Sequence, residues 1–213
     1  MKEQLGKVWQ GNRFFICFLI LMCLFRSAVA DWNSVPTGSM QPTILEGDRI
    51  FVNKMAYDVR LPFTHISLLK LADPERGDII VFDSEVSDKR LVKRVVGVPG
   101  DVVAMQNNIL RINGKQLLYR DIPAPAPATD KLETLSGVEH KVRIRTRRSG
   151  FPPVTVPEGH YLVLGDNRDN SADSRVIGFV PRHEIVGRSR HVVMSLNYEN
   201  FYLPRPHRFL QAL

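Results

Sequence analysis

A serine in a rigid turn is the first candidate for chemistry in this sequence. Residues 36–43 read Pro-Thr-Gly-Ser-Met-Gln-Pro-Thr, so Ser39 lies between two prolines and directly follows Gly38. Each proline fixes its own φ angle, and glycine lets the backbone pass close to another group. Such a turn presents a hydroxyl as a nucleophile, although turns rich in Pro, Gly, Ser and Thr also occur with a purely structural role.

A serine nucleophile needs a base for its proton, donors for the oxyanion and a group that orients the base. Histidine is the commonest base, but none of the six histidines lies in a recognisable motif. A Ser-His-Asp triad of Ser39 with His160 and Asp166 stays open as one interpretation.

Lysine is the alternative base, provided that it is neutral when it acts. Lys93 lies in an alternating, strand-like segment, residues 91–98, where its same-face neighbours Leu91 and Val95 are apolar. Arg94 is expected on the other face, in water. An apolar environment lowers the pKa of lysine from about 10.4 because it penalises the charged form. The structural alternative is a strand lysine whose amine extends to solvent.

Two long motifs accompany the serine turn. Residues 93–101 read Lys-Arg-Val-Val-Gly-Val-Pro-Gly-Asp, and residues 165–175 read Gly-Asp-Asn-Arg-Asp-Asn-Ser-Ala-Asp-Ser-Arg. In this order and with this content, the three blocks resemble bacterial type I signal peptidase (leader peptidase), a membrane-anchored serine protease family with a Ser/Lys dyad. The resemblance extends from the N-terminal apolar segment to Ser195 and covers most of the chain.

The resemblance implies a role for each matching position. Ser39 matches the nucleophile and Lys93 the general base. The main-chain N–H of Ser39 and the hydroxyl of Thr37 match the oxyanion hole, with threonine where the family commonly has serine.

Four further positions match residues around the dyad. Ser171 matches the residue whose hydroxyl hydrogen-bonds the lysine amine. Asp173 and Arg175 match charged residues that support the site, and we predict that they form a structural ion pair. Met40 matches a position that lines the apolar substrate surface.

The family implies removal of signal peptides from exported preproteins, with small residues, usually Ala, at the first and third positions before the scissile bond. No metal or organic cofactor is expected. We expect a monomer whose partners are signal peptides and membrane lipid, with no nucleic acid. Two alternatives remain: a conjugation-type maturation protease of the same superfamily, and a catalytically inactive, membrane-anchored envelope binding protein.

The length and composition of the chain limit the kind of fold that can position these residues. A chain of 213 residues, 44% of them hydrophobic, can bury one sizeable core with a smaller appended lobe. The formal charge of +7 allows nucleic acid or anionic lipid as a partner. Both cysteines, Cys17 and Cys23, lie in the apolar N-terminal segment, so the remaining chain has no disulfide or thiolate metal site.

The N-terminal segment predicts a membrane anchor over residues 14–32, after a cytoplasmic N-terminus, residues 1–13. Basic residues precede the apolar run 14–25, which places the N-terminus in the cytoplasm and the rest of the chain on the other side of the membrane. With the family resemblance, this implies a catalytic domain on the outer, periplasmic face of the bacterial inner membrane. The anchor needs Arg26 to extend to the interface near Trp32. The alternative is a cleaved signal peptide, since Ala28-Val29-Ala30 has the small-x-small form. The same motif resembles the site that such an enzyme cuts, so one molecule could release another.

The remaining sequence predicts a mainly β protein with an antiparallel catalytic core. Short alternating or apolar runs, separated by Gly and Pro turns, predict strands, and a hairpin is expected around Asn113-Gly114. The predicted strands cover residues 48–54, 78–82, 91–98, 160–164 and 184–195, with the hairpin at 108–118.

A small β lobe, residues 102–157, is predicted as an insertion into a core made of residues 33–101 and 158–213. It begins after the third strand and contains a stiff Pro-Ala connector, residues 123–128. In residues 141–148, basic side chains alternate with apolar ones up to Thr146, which predicts a strand with one solvated basic face. Contact of this face with anionic lipid or nucleic acid stays open.

Overall fold

The computed structural model of the protein describes residues 2–64, 66–123, 128–145 and 149–213, with the backbone alone for residues 2–11. Helix α1 spans Lys2–Ala28 and helix α2 spans Ser174–Ile177. Across the residues that are described, no helix is both long and apolar enough to cross a membrane. Short 3₁₀ turns lie at Gly38–Met40, Lys54–Ala56, Arg182–Glu184 and Pro206–Arg208.

Strands make up most of the remaining ordered structure. In chain order they are β1 Ala30–Ser34, β2 Asp48–Asn53, β3 Asp58–Arg60, β4 Ser67–Lys70, β5 Ile79–Ser84, β6 Lys89–Gly97, β7 Val102–Gln106, β8 Ile109–Ile112, β9 Lys115–Gln116, β10 Leu118–Ile122, β11 Thr129–Leu135, β12 Val138–Ile144, β13 Phe151–Thr155, β14 His160–Leu164, β15 Val180–Pro181, β16 Ile185–Asn197, β17 Leu203–Pro204 and β18 Gln211–Ala212.

One large sheet forms the body of the protein. Its strand order is β1-β2-β16-β5-β6-β14-β15, with β17 and β18 paired to β16, and every pair is antiparallel. The predicted fold class, mainly antiparallel β, is confirmed, as are the five predicted strands, whose ends differ from the prediction by at most two residues. The interior strand β5 is apolar and buried in its first four residues, as expected for a strand that is covered on both faces.

The end of helix α1 differs from the predicted end of the anchor at Trp32. The helix ends at Ala28, and Trp32 lies in β1, opposite Phe51 of β2. Arg26, expected at the interface, pairs with Asp31 at 2.6 Å and lies over the Trp32 ring. Pairing with β2 satisfies the backbone of residues 30–34 and therefore ends the helix.

The small-x-small motif lies at the junction between α1 and β1. Ala30 is buried and pairs with Asn53, so the bond that follows it is part of the sheet. Cleavage by a second molecule would therefore require β1 to separate from β2 first.

The segment predicted as an inserted lobe contains two smaller sheets. One has the order β13-β7-β8-β9 and the other β10-β11-β12. The predicted hairpin turn joins β8 to β9 through Asn113 and Gly114, which both have positive φ angles, 51° and 77°. Such angles are the reason that Asn-Gly is favoured in two-residue hairpin turns.

Among the residues that the structure describes, the lobe shares a buried cluster with the large sheet. Val103 and Leu110 of the lobe pack in one buried cluster with Val96 of β6 and Leu164 of β14. Two further clusters lie within the large sheet, one behind the serine turn around Met40 and one between β5, β6 and β14. The cluster shared by the two parts fixes the lobe against the strand that carries Lys93.

Two predicted segments extend outside the described residues. Residues 124–127 of the Pro-Ala connector and residues 146–148 of the basic segment are outside them. The described part of the basic segment belongs to β12, which confirms a strand there.

Candidate active site

The carbonyl oxygens of the serine turn are held by residues 165–175, which we call the third motif. Residues Gly38–Met40 form a single 3₁₀ turn, in which Ser39 is half-buried. Asn167 donates from its side-chain Nδ2 to the Gly38 carbonyl oxygen, at 2.9 Å, and from its main-chain N–H to the Ser39 carbonyl oxygen, at 3.0 Å. A Cβ atom on Gly165 would lie 2.5 Å from the Ser39 carbonyl oxygen, so only glycine fits there.

Lys93 approaches the same serine from β6. Its Nζ donates to Ser39 Oγ at 2.9 Å and to the Val92 carbonyl oxygen at 3.0 Å, and the side chain is 2% exposed. Burial lowers the pKa of Lys93 to about 8, against the opposing charges of Asp173 and Asp166. Neither hydrogen-bond partner is a carboxylate, so the amine reaches its neutral, proton-accepting form near pH 8.

Arg94 is buried, not solvated as the strand pattern predicted. Its Nε and Nη2 donate to the two carboxylate oxygens of Asp166, at 2.9 and 2.8 Å, and its Nη1 donates to the Gly77 carbonyl oxygen. Although burial alone would raise the pKa of Asp166, Arg94 holds this pKa below its usual value. The alternation of β6 failed to predict this contact because the third motif covers the second face of the strand.

Three residues that hold the site were missed by sequence reasoning: Thr43, Arg94 and Asn167. Thr43 donates its hydroxyl proton to Asp166 Oδ2 at 2.6 Å, which ties the end of the serine turn to the Arg94–Asp166 pair. The available signal was their position in the motifs, since Arg94 and Asn167 lie inside the two long motifs and Thr43 ends the serine turn.

The structure does not assemble the Ser-His-Asp alternative. The Nδ1 atom of His160 lies 2.9 Å from the Glu158 carbonyl oxygen, and the Asp166 carboxylate is bound by Arg94. Lys93, and not His160, contacts the Ser39 hydroxyl.

Asp173 and Arg175 form the predicted ion pair behind the turn. Their side chains lie 2.7 Å apart, and Asp173 is fully buried. Asp173 also accepts a hydrogen bond from the Gly165 N–H at 3.0 Å, and Arg175 donates to the Arg168 carbonyl oxygen at 2.6 Å. The pair thus fixes the backbone of the third motif on both sides of Asn167.

Ser171 lies beside the turn but does not form the predicted hydrogen bond with the lysine amine. Within the described residues its buried hydroxyl has no partner, whereas Lys93 donates to Ser39 and Val92. Ser171 packs directly against Gly165, which places it next to the Ser39 backbone.

An open groove of about 550 Å³ leads to Ser39 and Lys93. It is lined by residues 31–37 and 89–93 and by Arg26. Thr37 is exposed on this wall, and Met40 borders the groove while its side chain packs in the core behind the turn. In the described structure β14 pairs with β6 only from Arg94 onward, so residues 89–93 keep an open strand edge along the groove. An extended peptide can add to such an edge through main-chain hydrogen bonds.

The lobe contacts the serine turn through Arg143 of the basic strand. Arg143 pairs with Asp130 at 2.7 Å and donates from Nη1 to Gln41 Oε1 at 3.1 Å. Its main-chain N–H donates to the Asp166 carbonyl oxygen, and its own carbonyl oxygen accepts from the Arg168 N–H. At this residue the predicted solvated basic face is wrong, because the third motif and the turn cover it.

A carboxylate and histidine group lies away from the groove. Ligand atoms of Glu85, His183 and Glu184 are within 4.8 Å of one another, a spacing that would suit a metal ion. None of the three lines the groove with Ser39. The residues around the dyad are serine, threonine, lysine and paired charges, which suit acid–base chemistry.

Comparison with known proteins consistently shows similarity to signal peptidases. A family model described as "Signal peptidase, peptidase S26" matches residues 8–194. Signal peptidase I of Pseudomonas fluorescens is 38% identical over 217 residues, which cover 91% of this chain and 76% of that protein. Signal peptidase I of Pseudomonas aeruginosa is 37% identical, with 91% and 76% covered, and that of Bacillus amyloliquefaciens is 34% identical, with 90% and 88% covered.

Proposed function

The chain belongs to the signal peptidase family, peptidase S26, and we propose that it removes signal peptides from exported preproteins with a Ser39/Lys93 dyad. As a member of this family it is a serine peptidase and a hydrolase. The proposal assigns Ser39 as the nucleophile, Lys93 as the general base, and cleavage after Ala-x-Ala or other small-x-small sequences. We further propose that the enzyme acts as a monomer.

The distance of 2.9 Å between Lys93 Nζ and Ser39 Oγ is the observation that carries the proposal. It lies within the range over which a base accepts a proton from a nucleophile. Two properties support it: the pKa of Lys93 lowered to about 8 by burial, and the groove that gives an extended peptide access to Ser39.

The proposed reaction is acyl transfer in two steps. Ser39 Oγ attacks the scissile carbonyl carbon while Lys93 accepts the hydroxyl proton. The Ser39 N–H and the Thr37 hydroxyl donate to the oxyanion. Lys93 then gives the proton to the leaving amine, the C–N bond breaks, and an acyl-enzyme remains. Lys93 next takes a proton from water as the water oxygen attacks the ester carbon, and it returns that proton to Ser39 Oγ as the ester C–O bond breaks, which restores the serine hydroxyl and the neutral amine.

The remaining predicted residues support this reaction indirectly. Asp173 and Arg175 hold the loop that fixes the Ser39 backbone. Ser171, buried beside Gly165, is proposed to hydrogen-bond the Lys93 amine when the serine proton is transferred. Met40 is proposed to contribute to the apolar surface that small substrate side chains contact.

We also propose that residues 14–32 hold the enzyme at the bacterial inner membrane, with a single crossing and the catalytic domain on the outer face. Large apolar side chains of the described part of α1 are exposed rather than packed against the sheet, among them Phe14, Phe18 and Leu21. Retention of the full chain in the membrane pellet after alkaline carbonate washing is the expected result, and full release into the supernatant would contradict the anchor.

Cleavage of a preprotein and of a short Ala-x-Ala peptide by the detergent-solubilised full chain tests the proposed function. We expect a single cut after the second alanine, and we expect kcat/KM to rise with pH through an apparent pKa of about 8, since only the neutral amine of Lys93 accepts a proton. Ser39→Ala is expected to remove the activity. If neither substrate is cut at any pH, the inactive binding protein becomes the better interpretation, and cleavage of only one pilin-like substrate would favour the maturation protease.

A further inference from the structure

The groove that leads to Ser39 carries basic side chains at a distance from the dyad. Strand β6 places Lys89, Leu91 and Lys93 on one face, since every second side chain of a strand points the same way. Lys93 reaches Ser39, and at about 3.3 Å per residue Lys89 lies roughly 13 Å farther along the strand. Both Lys89 and its neighbour Arg90 line the groove and are exposed.

The opposite side of the groove carries its charges at the same end. Each pair of neighbouring strands from β1 through β2, β16 and β5 to β6 is antiparallel, so β1 and β6 run in the same direction. The starts of these two strands therefore form one end of the groove. Arg26 and Asp31 line this end, and Arg26 lies 4.8 Å from the centre of the Trp32 ring. Hydrogen bonds to Asp83 raise the pKa of Arg90, and the charge of Asp31 across the groove adds to this effect.

Three cations at this end, which we call the basic rim, keep hydrogen-bond donors available for a ligand: Arg26, Lys89 and Arg90. Arg26 donates to Asp31 through Nε and Nη2, and Arg90 donates to Asp83 through the same two atoms. Within the part of the chain that the structure describes, neither Nη1 atom and not the Lys89 amine forms a hydrogen bond. Two carboxylates for three cations leave the basic rim positively charged.

The basic rim lies where a membrane-held substrate would enter the groove. Helix α1 ends at Ala28, two residues before β1 begins, and Arg26 belongs to its last turn. With the proposed anchoring, the substrate comes from this end and runs along β1 and β6 toward Ser39. At one substrate residue for each residue of β6, the fifth position before the scissile bond lies beside Lys89.

An incoming signal peptide offers oxygen atoms of matching charge at this point. Its apolar region precedes the small-x-small site. Where this region is helical, its last four carbonyl groups have no partner within the helix and carry the negative end of the helix dipole. The segment between this helix and Ser39 is extended when it pairs with the open strand edge of the groove. The end of the helix therefore meets the basic rim.

We propose that the basic rim is a subsite for the fifth and sixth residues before the scissile bond, where it binds the free carbonyl groups at the end of the signal helix and favours acidic over basic side chains. This rests on the proposed function of the dyad. The basic rim selects by charge, whereas the first and third positions before the bond are selected by size. It also limits how far the signal helix enters the groove, and so which bond arrives at Ser39.

Three peptides that differ only at the fifth position before the cut test the subsite. They share one Ala-x-Ala site and carry glutamate, glutamine or lysine at that position, and the full chain in uncharged detergent cleaves them at low ionic strength. We expect kcat/KM to be roughly fivefold higher for the glutamate than for the lysine peptide, as for exposed charge pairs. The difference should lie in KM, since this position is remote from the reacting bond. In about 1 M salt the ratio should approach one, because the screening length falls to about 3 Å.

Charge reversal in the enzyme tests the assignment to Lys89. Lys89→Glu should invert the order, so that the lysine peptide is cleaved faster than the glutamate peptide. The matched control is Lys115→Glu, which makes the same charge change at an exposed lysine of β9 in the lobe. We expect this control to keep the wild-type ratio.

Equal kcat/KM for the glutamate and lysine peptides in the wild type would overturn the proposal, as would a wild-type ratio in Lys89→Glu. A change of the ratio in Lys115→Glu as large as in Lys89→Glu would also overturn it, since net charge would then explain the preference. Equal cleavage of the peptides, together with weaker binding of Lys89→Glu to phosphatidylglycerol vesicles, would assign the basic rim to lipid headgroups.

A separate binding measurement distinguishes failure of the subsite from failure of the proposed function. If the wild type cuts none of the peptides, the proposed function is refuted. Fluorescence anisotropy of the labelled peptides with Ser39→Ala then still decides the subsite. We expect a Kd roughly fivefold higher for the lysine than for the glutamate peptide, and equal Kd values would overturn the subsite.

Discussion

Two buried charged groups in this protein, Lys93 and Glu133, lie in equally dry environments and serve different purposes. Lys93 has neutral hydrogen-bond partners, and burial lowers its pKa to about 8. Glu133 of the lobe would have its pKa raised by burial, but Arg168, at 2.7 Å, and His140, at 3.1 Å, hold the pKa well below its usual value. Tyr119 also donates its hydroxyl proton to Glu133.

The difference shows that burial alone does not determine what a charged group does. A charge with a full set of partners keeps its ionised form and links structural elements, here the lobe to the third motif through Arg168. A buried amine without a counter-ion beside it moves its pKa into the range where it can exchange protons. The predictions below test this contrast, from the largest expected effect to the smallest.

Replacing Lys93, the buried amine without a counter-ion beside it, should lower the activity without lowering the free energy of unfolding. For Lys93→Met we expect kcat/KM on an Ala-x-Ala peptide to fall by about 10²–10⁴-fold, because the general base is lost. The free energy of unfolding should stay equal or increase, since a buried amine is replaced by an apolar side chain of similar length. Peptide cleavage and denaturant unfolding of the same preparation measure both. Full activity would refute the dyad, and a large loss of stability would refute the contrast.

Replacing Arg168, the counter-ion of Glu133, should instead lower the stability of the protein. Arg168→Met leaves Glu133 buried without its main counter-ion, and we expect the free energy of unfolding to fall by about 3–5 kcal/mol. The control is the double variant Arg168→Met with Glu133→Leu, which removes both charges and should recover most of this loss. A single variant as stable as the double variant would mean that the ion pair is not what requires Arg168.

The pH dependence of stability should separate wild type from Lys93→Met. The pKa of Lys93 is about 8 in the folded protein and about 10.5 in the unfolded chain, so the unfolded state binds more protons between these values. Stability therefore gains from this residue as the pH rises from about 8 to about 10.5, by at most about 3 kcal/mol, and gains nothing below pH 8. Urea unfolding of both proteins at pH 7.5 and pH 10 measures the difference, in which all other groups cancel. Parallel curves would place the pKa of Lys93 near its ordinary value.

The smallest expected effect concerns the contact between lobe and serine turn. Arg143→Gln removes the pair with Asp130 and the hydrogen bond to Gln41, while the main-chain bonds to the third motif stay. We expect a loss of about 1–2 kcal/mol in stability and a decrease in kcat of a few-fold with KM unchanged, because the turn is held less firmly. Lys141→Gln, at an exposed position of the same strand, should change neither quantity. A Lys141 variant as impaired as the Arg143 variant would assign the effect to charge and not to the contact.

The sequence by itself determined the local features of this protein. The alternating and apolar runs located the strands of the large sheet, and Asn113-Gly114 predicted a hairpin turn, because both signals depend on residues that are neighbours in the chain. The resemblance of the three motifs to a known family singled out Ser39, Lys93 and the Asp173–Arg175 pair, since each motif is a continuous run of residues.

Only the tertiary structure decided which residues meet across long separations. Arg94 turned inward because Asp166, 72 residues later, supplies its carboxylate, and Arg143 reaches the turn because the lobe packs on β6. The orientation of Ser171 and the end of α1 at Ala28 likewise depend on neighbours that are distant in the chain. Strand alternation predicts which face of the sheet a side chain lies on. Whether that face contacts water or a buried carboxylate depends on the segment that packs against it.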